Sequence, residues 1–198
     1  MQSKLISEEG GQQTFVLVFE TGDEAMDGLS GFARERDLSA AHFTGIGAFS
    51  DAVLGWFDWQ TKEYRPIRID EQVEVVSLVG DVALQDGEPA VHAHVVVAGS
   101  DGAASGGHLL EGHVRPTLEV VLSESPEHLR KRYDETTGLA LIELGHGAGG
   151  AAGLQDETAL PHVPEEDATL VAEQARRVVE DEAETPRAAT EEGAGLEP

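Results

Sequence analysis

The stretch Val91–Gly112, VHAHVVVAGSDGAASGGHLLEG, limits what this chain can fold into more than any other. Its valine-rich first part, Val91–Ala98, runs into Gly99-Ser100-Asp101-Gly102, the pattern of a strand followed by a turn. Ser105–Leu110 can then return antiparallel. His92 and His94 are two residues apart and share one face of such a strand. With the turn centred near Asp101, position 94 falls opposite position 108, and directly opposed residues hold their Cβ atoms roughly 4.5–5.5 Å apart. The hairpin therefore aims His92, His94 and His108 at one point.

Three neutral imidazoles suit a divalent transition metal, zinc first, and leave a coordination position free for water or a ligand. The competing reading is a set of polar histidines on a solvated or inter-subunit sheet face, each satisfied by a neighbouring hydrogen bond. Register decides between them, because a slip of one residue turns His108 to the other face. A metal that activates water needs an acid or base nearby. Glu119 and Glu74 are the candidates for that role, or for orienting an imidazole from behind. Both also fit plain inter-strand or interface ion pairs. Arg115 fits an anion beside the metal, or a surface position. Glu111 lies three residues past His108 and faces away, and His113 has the wrong parity for the set.

Composition narrows the function classes. With no cysteine, a thiolate metal site and a disulfide are both excluded. A net charge of −25, with only three lysines (Lys4, Lys62 and Lys131), repels nucleic-acid phosphates, so direct nucleic-acid binding is not expected. The segment 148–198 carries −10 of that charge, leaving −15 on the rest, so an acidic tail does not account for it alone. A high-salt setting, where screening quenches self-repulsion, fits better. No run approaches the roughly 20 apolar residues of a membrane span. Nor does MQSKLISEEGGQQ resemble a signal peptide, so a cytoplasmic location without membrane contact is expected. No nucleophile elbow, P-loop or dinucleotide fingerprint occurs.

Patterning then places the elements. Residues 1–13 are polar and expected to be flexible. Thr14–Glu20 predicts a strand, and Ala25, Met26, Leu29, Phe32 and Ala33 recur at helical spacing after Asp23. Ala40–Gly47 predicts a strand ending in a turn at Gly45 and Gly47. Strands follow at Ala52–Trp59, at Tyr64–Ile69 (an edge, from Pro66) and at Val73–Leu84. Asp86-Gly87-Glu88-Pro89 turns the chain into the histidine hairpin. Beyond it come a strand at Thr117–Leu122, a short helix opened by Ser125-Pro126 and running through His128–Tyr133, and a last strand at Gly138–Leu144. The fold class is α+β: a mixed, mostly antiparallel sheet with one longer and one short helix. The folded part spans 14–144. Residues 145–198, a Gly/Ala linker and acidic segment, have the composition of a disordered tail.

Four motifs occur in order: Phe43-Thr44-Gly45-Ile46-Gly47-Ala48, Glu74-Val75-Val76-Ser77-Leu78-Val79-Gly80, His92-Ala93-His94 and Gly106-Gly107-His108-Leu109. Together they resemble the plant and prokaryote conserved domain (PPC or PCC), over about residues 14–144. The resemblance implies an α+β fold, a homotrimer, and zinc at His92, His94 and His108. With the open coordination position, this leads to a binding or regulatory module whose expected ligand is a small anion. The alternatives are a zinc-dependent enzyme acting on a small substrate, and a DNA-associated assembly protein as in plant relatives. The second of these is disfavoured by the acidity and by the lack of a basic Arg-Gly-Arg-Pro hook.

Overall fold

The computed structural model describes residues 1–144; the tail expected at 145–198 lies outside them. Strand β1 (Gln2–Glu9) is followed by β2 (Gln12–Glu20), helix α1 (Ala25–Glu35) and a long β3 (Ala40–Asp58). Then come β4 (Glu63–Ile69), β5 (Val73–Gln85), β6 (Glu88–Ala98), a second long strand β7 (Ala104–Glu124), β8 (Arg130–Asp134) and β9 (Leu139–Ile142). They form one sheet in the order β1-β2-β7-β3-β5-β8-β9, with β4 on β3 and β6 on both β5 and β7. Every pairing is antiparallel except β5 with β8. β3, β5, β6 and β7 close a circuit of pairings, so both strands that carry the histidines are hydrogen-bonded on two sides.

One face of the sheet is the core. β2 contributes Phe15, Leu17 and Phe19, β3 Phe43, Phe49 and Leu54, and β7 Leu109, Leu118, Val120 and Leu122, all buried. Helix α1 covers this face with Ala25, Leu29, Phe32 and Ala33, the positions its spacing predicts. Gly28 sets how close the helix lies, since a Cβ there would fall 2.4 Å from Phe19 Cε1. Phe32 meets Phe15 edge-on at 5.2 Å, a favoured aromatic geometry. Among the described residues no helix is long and apolar enough to cross a membrane.

The structure corrects three expectations. The expected flexible N-terminus is instead strand β1, paired along β2. All eight of its side chains are exposed, so it carries no core periodicity by which to recognise it. The expected glycine turn at Gly45 and Gly47 is a bulge inside the continuous strand β3. Gly47 is required there by close approach, because a Cβ would lie 2.3 Å from the Thr117 carbonyl oxygen of β7. The expected short helix after Ser125 is absent; α1 is the one helix among the described residues. Ser125 still caps locally, accepting the Glu127 N–H. The chain is then pulled straight, as Leu129 donates to the Ser39 carbonyl and accepts from Leu84 N–H, which sets β8 beside β5. His128, expected in that helix, bonds the Ser39 hydroxyl through Nδ1 at 2.6 Å.

Candidate metal centre

The three-histidine group is built by two turns. Asp86 and Gly87 both have positive φ, 52° and 89°, as a two-residue type I′ hairpin loop demands. That turn fixes the β5–β6 register so that Asp81 faces His92 and Val79 faces His94. The loop at 99–103, with Asp101 Oδ1 accepting the Ala103 N–H, fixes the β6–β7 register so that His94 faces His108. The expected register is the one observed. The rings of His92 and His94 lie 5.1 Å apart, those of His92 and His108 5.1 Å, and those of His94 and His108 5.4 Å. Each offers one nitrogen, and the three nitrogens lie within 4.8 Å of one another. In a tetrahedral zinc site, Zn–N distances of about 2.0–2.1 Å put ligand nitrogens about 3.3 Å apart. Closing on an ion thus asks for inward tilts of the rings and no change of backbone register.

The surroundings fit a cation. His108 is sandwiched between His92 and the Tyr64 ring, which stacks on it at 4.7 Å. Gly55 makes room for that stack, since a Cβ there would lie 2.8 Å from Tyr64 Cδ1. His108 Nδ1 is buried with no hydrogen-bond partner, an orphaned position that a bound ion or its ligand would explain. Burial, then the charges of His92, His94 and Lys131, push the His108 pKa down to about 4. Burial, then His92, lowers that of His94. Both rings are neutral at neutral pH, the state a metal ligand requires.

Behind His92 stands Asp81, which sequence reasoning did not single out. His92 Nδ1 donates to Asp81 Oδ2 at 3.1 Å, and Lys131 Nζ lies 2.6 Å from Asp81 Oδ1. Burial alone would raise the Asp81 pKa, but the bonds from His92 and Lys131 and their charges outweigh it, and the pKa is lowered. The three candidates for a place beside the centre lie elsewhere, where their alternative readings put them. Glu119 is exposed between Val18 and Ile46, Glu74 is exposed opposite Ala98, and Arg115 is exposed beside Pro116, its charge acting on Asp51. No hydrogen bond or ion pair joins them to the imidazoles among the described residues.

His113, left out of the set by parity, forms a separate clasp. Its Nδ1 donates to Asp51 Oδ1 at 2.7 Å, and its Nε2 lies 3.4 Å from Glu111 Oε1. The bond to Asp51, helped by the charges of Asp51, Glu111 and Glu24, raises its pKa against a smaller effect of burial. A raised histidine contributes stability that is full below its unfolded pKa near 6.5 and lost as pH climbs through the folded value. His113→Gln is therefore expected to cost under about 1 kcal/mol at pH 6, as for other part-exposed pairs. At pH 9 the charge contribution is gone. Urea titrations at the two pH values read the difference.

The model of the Plants and Prokaryotes Conserved (PCC) domain matches residues 6–126. A plant- and prokaryote-conserved protein of Pyrococcus horikoshii is 33% identical with a TM-score of 0.63, over 72% of this chain and 95% of that one. A metal-containing protein of Archaeoglobus fulgidus is 33% identical with a TM-score of 0.62, over 73% and 99%. The bifunctional protein GlmU of Synechococcus sp. (strain JA-3-3Ab) is 33% identical over 138 residues, 68% of this chain. The match spans 21% of that relative's length, about a fifth of it.

Proposed function

This chain belongs to the Plants and Prokaryotes Conserved (PCC) domain family, and from that premise we propose that it is a metal-dependent binding or regulatory module. Zinc would be held by His92, His94 and His108, leaving one position for a small anionic ligand. The convergence of three imidazole nitrogens within 4.8 Å carries this reading. The likeness to a metal-containing protein supports it. Zinc on three neutral imidazoles supplies a doubly positive, Lewis-acidic position that favours an anion. A cleft of about 160 Å³ beside His94, lined by Ser77, Val79, Val96 and the glycines 106 and 107, has room for a ligand of a few heavy atoms.

Assembly as a homotrimer belongs to the same proposal. The sheet face away from α1 exposes Ile46, Val76, Val79, Val96 and Val121. An apolar face of this kind is a common mark of a contact surface. The match to part of a longer protein supports a module that also works within larger chains.

Elemental analysis of the protein purified at neutral pH is expected to give one zinc per chain, and none for His92→Ala/His94→Ala. Light scattering on the same sample is expected to give three chains of 21.0 kDa. A native protein without stoichiometric metal would end the metal reading, and a monomer would end the trimer.

A further inference from the structure

We propose that Asp81, anchored by Lys131, is the positioning residue of the three-histidine centre: it fixes the tautomer and the aim of His92. The inference rests on the metal reading, but its first test does not need the metal. A histidine can present Nε2 to an ion only if that nitrogen carries the lone pair and the proton sits on Nδ1. Asp81 Oδ2, 3.1 Å from His92 Nδ1, accepts a hydrogen bond from that N–H and stabilises this tautomer. Position 81 suits the task because cross-strand partners share a face, and Asp81 is the direct partner of His92.

A carboxylate on a sheet face has rotamers to choose from, so something must hold it. Lys131 does so. Its Nζ is 2.6 Å from Asp81 Oδ1, leaving Oδ2 for the imidazole. Its side chain is only 7% exposed. A chain with net charge −25 and three lysines has nearly buried one of them against this carboxylate. Burying an ammonium costs several kcal/mol unless it is paired, and surface carboxylates abound on this molecule. Lys131 reaches the centre from β8, which the Leu84–Leu129 bond and the Gln85–Lys131 pairing hold against β5. The hairpin β8–β9 is thereby tied to the aim of an imidazole on β6.

The test has two parts. In metal-free protein, long-range proton–nitrogen NMR is expected to find His92 with its proton on Nδ1, and Asp81→Asn to produce a mixture of tautomers. Finding His92 protonated on Nε2 in the native protein would overturn the proposal, whether or not the protein binds zinc. In the second part, zinc is titrated against a chromophoric chelator. Asp81→Asn is expected to weaken binding about 10–100-fold, as for other groups that orient metal-bound histidines. Because that change strands the Lys131 ammonium, Asp81→Asn/Lys131→Met is measured beside it. The double variant is expected to fold and to bind no more weakly than Asp81→Asn, since Lys131 acts through Asp81. Affinity in the double variant within about twofold of native would overturn the role of Asp81. Binding weaker than Asp81→Asn alone would overturn the relay. Zinc failing to bind native protein would count against the metal reading and leave the tautomer result to decide this one.

Discussion

Gly80→Ala is expected to destabilise the metal-free protein by about 3 kcal/mol or more, at the top of the range for overpacked cores. A Cβ at position 80 would stand 2.2 Å from Phe43 Cζ and 2.4 Å from the backbone oxygen of His92. Neither neighbour can move cheaply. The Phe43 ring is fully buried in the core, and the His92 carbonyl belongs to the β5–β6 ladder, where Gly80 faces Ala93. Lifting β6 to make room would also carry His92 and His94 away from His108. The substitution should therefore lower both the urea midpoint and zinc affinity. A change under about 1 kcal/mol would show that the ladder yields more easily than its geometry suggests.

His108→Phe is expected to flatten the acid side of the stability profile between pH 6.5 and about 4. His108 has a folded pKa near 4, against an unfolded value near 6.5. Above 6.5 neither state binds a proton there, so the group adds no pH dependence. Between the two values the unfolded chain takes up a proton that the folded one refuses, and stability falls with pH by about 3 kcal/mol in all. Phenylalanine keeps an aromatic ring against Tyr64 and removes the proton site. His94, whose pKa burial also lowers, acts on the same side of 6.5 and leaves the variant a residual slope, while the remaining groups titrate elsewhere. Asp81 and Asp51 have lowered pKa values, so their contribution is present above the unfolded carboxylate value and is lost on further acidification. His113 acts above 6.5 with the opposite sign. Metal-free urea titrations at pH 7 and pH 4.5 measure the slope. An equal slope in native and variant protein would put the acid sensitivity elsewhere.

Where two-residue patterning met a tight turn, the sequence was informative. The valine run, the loop about Asp101 and the parity of His92, His94 and His108 led to the observed register. The same logic applied to Asp86-Gly87 sets Asp81 opposite His92, whereas strand assignment alone points to Glu119 and Glu74. Lys131 could not be found this way, because its contact depends on β8 lying parallel to β5. Ser125-Pro126 carries a real helix-start signal, and tertiary bonds through Ser39 and Leu84 override it. β1 escapes patterning for the opposite reason: all eight of its side chains are exposed, so no apolar alternation marks it. Gly47 looked like a bend because a glycine excluded by a neighbouring carbonyl reads the same as one needed for a turn.

All three rings come from residues 92–108, and only the loop at 99–103 separates the strands that present them. A flexible chain closes so short a span at little entropic cost. The denatured polypeptide thus keeps a share of the centre's affinity, and ions will populate it as well as the native form. Ligand-induced stabilisation counts only the difference in affinity between the two states. Melting shifts on zinc addition should consequently understate the native affinity, and the shortfall is a direct reading of how much of the centre survives without the fold.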